Sequence, residues 1–227
     1  MELNTYPLVC TRGVVLYPNQ EIVIDVGRDT SVHAVENAQD NYDKKICLFS
    51  QKELEQENPA TEDIYSVGTL CEIRHIRRFD NFLRVKFRGI KRVKLNKWIN
   101  GSLSDLVEVE ILESEKQDAV EEEALIRMIA DELDRMQGQD RFVTKEIVME
   151  ISKGMGGEFL SDKAVQGLPL DLERKQKYLE TLGVNDRLMM LLQDMAKEKK
   201  MSEVEKQINE TVKERIDQGQ KDYYLRE

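Results

Sequence analysis

Cysteine and histidine are scarce in this 227-residue chain, which has three cysteines and two histidines. Cys10, Cys47 and Cys71 lie inside apolar runs without a CxxC pair, so we interpret them as reduced core thiols of a cytoplasmic protein. His33 and His75 lie far apart, without an HExxH motif or a Cys/His ligand spacing. The sequence therefore predicts no metal site.

Long apolar runs and enzyme motifs are also missing. No apolar stretch approaches the roughly 20 residues of a membrane-spanning helix, and residues 1–4 lead into a strand rather than a signal peptide. No GxxxxGK[ST] phosphate loop is present, and Ser50, Ser66 and Ser161 have no recognisable nucleophile motif around them. We therefore expect no catalytic residue, no cofactor and no membrane partner for this chain.

Charge, in contrast, is abundant. Charged residues make up 34% of the chain, aromatic residues only 6%, and the formal net charge is −10. This balance predicts an aliphatic core under a strongly solvated surface. It also argues against binding of the whole chain to nucleic acid or to acidic membranes, because like charges repel.

The first half of the chain has the composition and the period-two alternation of β-strands. The chain opens with two apolar runs, residues 8–10 and 14–17. The predicted strands that follow are residues 21–26, 45–49, 67–79, 82–88, 91–99 and 106–111. Gly89 separates two of these strands, and Ile111 is expected to face inward with Val107 and Val109. Asp29 or Thr30 can cap one early helix. The pattern predicts a compact, twisted, mostly antiparallel sheet, open or closed into a barrel.

From Glu113 onward the apolar period changes to three and four, which is typical of helices. Gly138 is expected to end the first of these helices, and Thr144, Asp171 and Asn185 are expected to cap later ones. Residues 158–165 are expected to form a short segment between two of the helices. The last helix meets no breaker before the sequence stops, so about 40 residues would extend over about 60 Å.

Beyond Met201 the last predicted helix keeps only a thin apolar stripe. The stripe consists of Val204, Ile208, Val212 and Ile216. A stripe this narrow suits a partner helix, as in a coiled coil, and predicts self-association. The alternative is a solvated helix with a weak stripe. We divide the chain into a β-rich region (residues 1–113), a helical bundle (residues 114–200) and a helix extension (residues 201–227).

Three separated stretches of the chain have sequences that are more specific than a general strand or helix pattern. They are residues 7–31, with PLxxxRGVVLYP followed by DVGRDxS, residues 87–95, with FRGIKRVKL, and residues 223–227, with YYLRE. All three resemble the N-terminal domain of bacterial Lon, the ATP-dependent protease. The resemblance implies an α+β fold with a PUA-like pseudo-barrel, followed by a helical bundle that ends in one long helix. It also implies a fragment that stops within this helix, before an ATPase domain.

The resemblance further implies a function. Lon is a cytoplasmic, ATP-fuelled serine protease that forms homohexamers, and its N-terminal region helps to recognise misfolded or degron-bearing proteins and to assemble the ring. ATP, magnesium and the catalytic Ser–Lys pair would then belong to domains that are absent from this chain. As client-facing residues we choose apolar side chains beside turns, namely Tyr17, Pro18, Met155 and Phe159. Ordinary core packing is the alternative for each of them.

One stretch departs from the acidic balance of the chain. Residues 74–97 contain ten basic residues and a single acid, Asp80. The outward row Arg84, Lys86 and Arg88 would form a positive ribbon on a sheet face. Such a ribbon predicts a free-standing module that binds nucleic acid or polyphosphate through phosphates, although few aromatic residues are present for base stacking. The alternative is a charged face that acidic helices balance.

Overall fold

A barrel followed by a helical bundle is the architecture of the computed structural model, which describes residues 4–136 and 145–226. The strands are β1 (Asn4–Thr11), β2 (Glu21–Val26), β3 (Lys45–Ser50), β4 (Val67–Arg78), β5 (Leu83–Ile99) and β6 (Leu106–Leu112). The helices are α1 (Asp29–Asn41), α2 (Ala119–Met136), α3 (Lys145–Ser152), α4 (Gly157–Gly167), α5 (Leu172–Glu180) and α6 (Val184–Arg226). A short 3₁₀ turn covers Thr61–Asp63.

Five of the strands close into a ring. β5 bonds to β4, β4 to β3, β3 to β1, β1 to β6, and β6 returns to β5. β2 pairs with the first half of β5, beside the part that β6 covers. Every pairing between these described strands is antiparallel except that of β1 with β3. The predicted α+β fold with a mostly antiparallel barrel is confirmed.

The prediction that Gly89 separates two strands is wrong, because β5 runs through it unbroken. Its N–H donates to the Gln20 carbonyl at 2.9 Å, and its own carbonyl accepts from the Asn19 N–H at 2.9 Å. A Cβ at position 89 would lie 2.2 Å from the carbonyl oxygen of Tyr17. Glycine therefore serves here to let the turn at residues 17–20 approach the strand.

Two other local expectations for the barrel are also wrong. Ile111 is 38% exposed although Val107 and Val109 are fully buried. In the described part of the sheet, Ile111 pairs with Val93 of β5. Neither Asp29 nor Thr30 caps α1, since the helix already begins at Asp29.

The bundle contains one more helix than the sequence predicts. Residues 158–165, predicted only as a short segment, belong to α4. Asp171 caps α5 as expected, with its carboxylate accepting from the Arg174 N–H at 2.7 Å. Asn185 does not cap α6 but lies in its first turn, where its side-chain amide donates to Asp118 and Glu121 of the α2 end at 3.0 and 2.9 Å. The expectations for Gly138 and Thr144 lie outside the described residues.

The bundle packs directly on the outside of the barrel. Val15 and Tyr17 belong to the same apolar core as α2, α4, α5 and the first turns of α6. Between the barrel and α4 lies a buried ion pair of Arg92 with Asp162. Only the first third of the 43-residue α6 takes part in this core, so the rest of a helix about 65 Å long projects from it. None of the described helices is both long and apolar enough to cross a membrane.

Candidate functional site

Two of the four predicted client-facing residues lie in the core. Tyr17 is 0% exposed, and its hydroxyl donates to the Lys175 carbonyl of α5 at 2.8 Å. Pro18 is buried beside Gly89. Because the bundle covers the turn that carries both residues, the structure places them at the junction of barrel and bundle and not on the client-facing surface that the sequence analysis assigned to them.

The other two predicted contacts remain accessible. Met155 and Phe159 are half-buried and line a shallow hollow of about 330 Å³ together with Glu150 and Lys153. The Lys163 ammonium lies 6.0 Å from the centre of the Phe159 ring, a distance that permits a cation–π contact. Contact of a client with Met155 and Phe159 therefore stays a prediction.

In the basic ribbon on β5, Arg84 and Lys86 pair with carboxylates of β2, and Arg88 lies opposite Glu21 in the strand register. Arg84 donates two hydrogen bonds of 2.7 Å to Asp25, and Lys86 lies 2.6 Å from Glu21. These hydrogen bonds lower the pKa of both carboxyl groups. Further pairs in the same basic stretch are Arg74–Glu72, Arg78–Glu36, Lys91–Glu113 and Arg92–Asp162. Most of the positive charge is therefore balanced within the fold, although mainly by carboxylates of strands and loops and not by the acidic helices that the alternative interpretation expects.

The helix stripe is exposed in the isolated chain. Val204, Ile208, Val212 and Ile216 are between 42% and 56% exposed. They lie on the part of α6 that projects beyond the bundle core. The geometry thus leaves this face open to a partner helix.

An additional surface, which the sequence analysis missed, lies between α2 and α6. We call it the bundle groove. It encloses about 720 Å³ and is lined by Met128, Asp131, Glu132, Arg135, Leu192, Ala196, Lys199, Lys200 and Glu203. Its apolar residues are Met128, Leu192 and Ala196, and Met128 is 57% exposed. On the rim, the Glu132 carboxylate accepts from Lys199 at 2.9 Å and from Arg135 at 3.3 Å.

The side chains of the bundle groove suit polypeptide segments of varied sequence. Methionine side chains are flexible and polarizable, so they adapt to apolar partners of different shape. An amphipathic segment can place its apolar face on Met128 and Leu192 while its polar face meets the charged rim. The signal in the sequence is weak, because Met128 lies outside the apolar face formed by Leu125, Ile129 and Leu133.

Nucleophilic and metal-binding chemistry has little support in the described part of the chain. No cluster of three or more His, Cys, Asp or Glu side chains that could hold a metal ion occurs within residues 4–136 and 145–226. All three cysteines are unpaired, and burial raises the pKa of the Cys10 thiol to about 12. A thiol with such a pKa stays protonated near neutral pH and is a poor nucleophile.

Comparison with a family model and with related proteins finds the same family in each case. Residues 5–197 match the family model described as the ATP-dependent protease La (LON) substrate-binding domain. A Lon protease of Syntrophomonas wolfei is 35% identical and Lon protease 1 of Bacillus subtilis is 32% identical, over 100% and 99% of this chain. The chain spans 28% and 29% of the length of these two relatives.

Solved structures show the same fold. The N-terminal domain of Mycobacterium avium complex Lon protease superposes with a TM-score of 0.69 at 19% identity, covering 85% of this chain and 98% of that domain. The Lon N-terminal domain protein from Xanthomonas campestris gives a TM-score of 0.58 at 16% identity, covering 83% of this chain and 97% of that protein.

Proposed function

Because the chain belongs to the family of ATP-dependent protease La (LON) substrate-binding domains, we propose that it captures unfolded or damaged proteins for a Lon-type protease. The bundle groove is the observation that carries this proposal. It combines an exposed apolar floor with a charged rim on a rigid pair of helices, which is the arrangement that binds amphipathic segments without demanding one sequence.

Binding in the bundle groove depends on the apolar surface of the ligand and not on its charge, and this makes the groove selective for unfolded chains. Arg135 and Lys199 already donate to the Glu132 carboxylate, so a ligand need not provide a particular charge in order to bind. What a ligand must provide is apolar surface, which folded proteins bury. The Met155–Phe159 hollow offers a second, smaller apolar contact of the same kind.

The remaining functions expected from the resemblance belong to the whole protease. We propose that ATP hydrolysis with magnesium and peptide cleavage by a Ser–Lys pair reside outside this chain, in a cytoplasmic homohexamer. The exposed stripe on α6 supports a role in assembly, because a partner helix would cover it. Weak binding of one client segment by each of several subunits would add up to firm retention.

Binding of nucleic acid or polyphosphate is not proposed, since carboxylates balance most of the basic stretch.

A titration with an unfolded model protein tests the proposal. Fluorescently labelled, reduced and carboxymethylated α-lactalbumin should bind this chain with a Kd on the order of 10 µM. Met128→Glu should weaken binding at least about threefold, because it places a charge on the apolar floor. Met149→Glu is the matched control, since Met149 is also 57% exposed but lies on α3 outside the groove.

Met155→Glu tests the hollow separately. If it weakens binding while Met128→Glu does not, the client contact lies at the hollow and not in the bundle groove. No binding of the unfolded protein to the unsubstituted chain at about 100 µM, a concentration at which even weak capture would be visible, would contradict the capture function itself.

A further inference from the structure

A second cavity opens in the barrel wall, between β1 and the β2–α1 connection. We call it the barrel slot. It encloses about 340 Å³ and is lined by Val9, Cys10, Thr11, Arg12, Ile24, Asp25, Val26, Gly27, Arg28 and Ser31. Val9 and Val26 are buried and give the slot an apolar floor. A smaller cavity of about 140 Å³ adjoins it, sharing Cys10, Arg28 and Ser31.

One side of the barrel slot is a free strand edge. β2 pairs with β5 on one side and with no other described strand on the opposite side. The Gln20 carbonyl accepts from the Gly89 N–H, so even-numbered residues of β2 direct their backbone groups toward β5. By the alternation of an antiparallel strand, the N–H and C=O groups of Glu21, Val23 and Asp25 point toward the free edge. An extended segment can bond to these groups as an added strand.

Two arginines converge at this slot, and neither forms an ion pair with a carboxylate among the residues that the structure describes. Arg12 and Arg28 both donate to the Gln56 carbonyl oxygen, at 3.3 and 3.2 Å, and Arg28 also donates to the Gln51 side-chain oxygen at 2.6 Å. All three acceptor contacts are with neutral groups. Each guanidinium carries five N–H donors, so most of their donor capacity remains unused by these contacts. Burial, and then the positive charge of Arg12, lower the pKa of Arg28.

Three exposed arginines elsewhere on the barrel do have a carboxylate partner. On β4 and β5 the arginines Arg74, Arg78 and Arg84 each contact a carboxylate of the same chain. Asp25, the acid in the lining of the slot, is already bound by Arg84 through two hydrogen bonds. Glu57 attracts Arg28 through its charge and lines the smaller cavity, but forms no ion pair with it within the described residues. An incoming carboxylate would therefore meet two guanidinium groups that no described carboxylate contacts directly.

We propose that the barrel slot binds an extended polypeptide segment that adds to the free edge of β2 and places an aspartate or glutamate side chain against Arg12 and Arg28. This extends the proposed capture function to a second site of different chemistry. The bundle groove selects apolar surface in amphipathic segments, whereas the barrel slot selects extended backbone together with one negative charge. The carboxylate would accept the short, bidentate hydrogen bonds that arginine forms best.

A pair of capped octapeptides tests the proposal. One peptide alternates Thr and Val with a single central Asp, the other has Asn at that position, and both carry an N-terminal fluorescein and a C-terminal amide. We expect the Asp peptide to bind with a Kd on the order of 10 µM and the Asn peptide to bind about tenfold more weakly. Arg12→Gln should weaken the Asp peptide about tenfold and leave the Asn peptide unchanged.

Two matched pairs of variants separate charge from strand addition. Lys94→Gln changes the net charge as Arg12→Gln does but lies outside the slot, so it should not change binding. Val23→Pro removes a backbone donor from the free edge and should weaken both peptides, whereas Val23→Thr should not. Circular dichroism melting of every variant checks that the barrel remains folded.

The proposal is overturned if the Asp and Asn peptides bind equally, or if Arg12→Gln has no more effect than Lys94→Gln. It is also overturned if binding is seen only when the C-terminal amide of the peptide is replaced by a free carboxylate. Met128→Glu should leave binding of the Asp peptide unchanged while it weakens binding of the unfolded protein. The experiments therefore distinguish a wrong proposal for the barrel slot from a wrong proposal for the bundle groove.

Discussion

Arg92 of β5 and Asp162 of α4 form a bidentate ion pair between the barrel and the bundle, with side chains 1% and 2% exposed. Arg92 also donates to the Leu179 carbonyl at 3.1 Å. Arg187 of α6 lies 3.9 Å from the same carboxylate, and burial lowers the pKa of this guanidinium to about 10. One carboxylate therefore joins strand β5 to helices α4 and α6.

Removing either partner of this pair should destabilise the protein strongly. Arg92→Met or Asp162→Leu leaves a buried charge without its main partner, and we expect each to lower the free energy of unfolding by about 3–5 kcal/mol. The double variant should recover part of this loss, because no unpaired charge from the pair remains. Urea unfolding of the three variants measures the coupling. As a control, Arg84→Met, which breaks an exposed pair, should cost far less than either variant of the buried pair. Additive losses in the double variant would contradict the argument.

Arg92 also shows what strand periodicity can and cannot predict. The alternation of residues 83–95 correctly places the aliphatic residues of β5 inside the barrel. It equally places Arg92 on the outer face, among basic residues that were expected to be exposed. The period says which face a side chain occupies, but not whether a second layer of structure covers that face. The burial of Arg92 depends on α4 and α5, which lie some 70 to 90 residues further along the chain.

Replacement of Gly89 by alanine should destabilise the barrel through a steric conflict. The new Cβ would lie 2.2 Å from the Tyr17 carbonyl oxygen, and backbone atoms on both sides must move. We expect a loss of about 1–3 kcal/mol in the free energy of unfolding, as for other overpacked sites. Gly27→Ala is the matched control, because its Cβ would meet its nearest neighbour at an ordinary 3.8 Å. Equal stability of the two variants in urea unfolding would show that the turn at residues 17–20 can move away at little cost.

The stability of the bundle should depend on pH through Glu132. Its hydrogen bond with Lys199 lowers the pKa of this carboxyl in the folded protein. An unfolded glutamate titrates at a pKa of about 4.3, so below about pH 5 the unfolded state binds more protons than the folded state does. The stabilisation is therefore present at neutral pH and is lost as the pH falls through the folded pKa.

Comparison of unfolding free energies at pH 6 and pH 3.5 measures this contribution. Glu132→Gln should reduce the loss of stability between the two pH values, and Lys199→Met, which removes the partner, should reduce it to a similar extent. An unchanged pH dependence in both variants would show that the pair is too solvated to matter.

The candidate sites were harder to predict than the strands. Bounds of β3 and the turn between β4 and β5 follow from local apolar patterns and turn residues. The bundle groove combines Met128 with Leu192, and the barrel slot combines Arg12 with Arg28, so each exists only where separate elements meet. The choice of Tyr17 as a contact rests only on its place as an apolar residue beside a turn. Packing of α5 over that turn, which no local pattern signals, buries it.

The stripe on α6 should mediate self-association of the chain. Its four residues are exposed on a helix that projects from the bundle core, and pairing with the same stripe of a second copy would bury them. Sedimentation velocity from about 5 to 200 µM, a range that brackets weak helix pairing, should show a concentration-dependent shift to a larger species. Ile208→Gln with Val212→Gln should abolish the shift, because it removes the centre of the stripe while glutamine preserves the helix. Glu205→Gln with Glu214→Gln, on exposed positions of the same segment outside the stripe, should leave it in place. If the unsubstituted chain sediments as one monomer at every concentration, the stripe is a solvated helix face and assembly must depend on other surfaces.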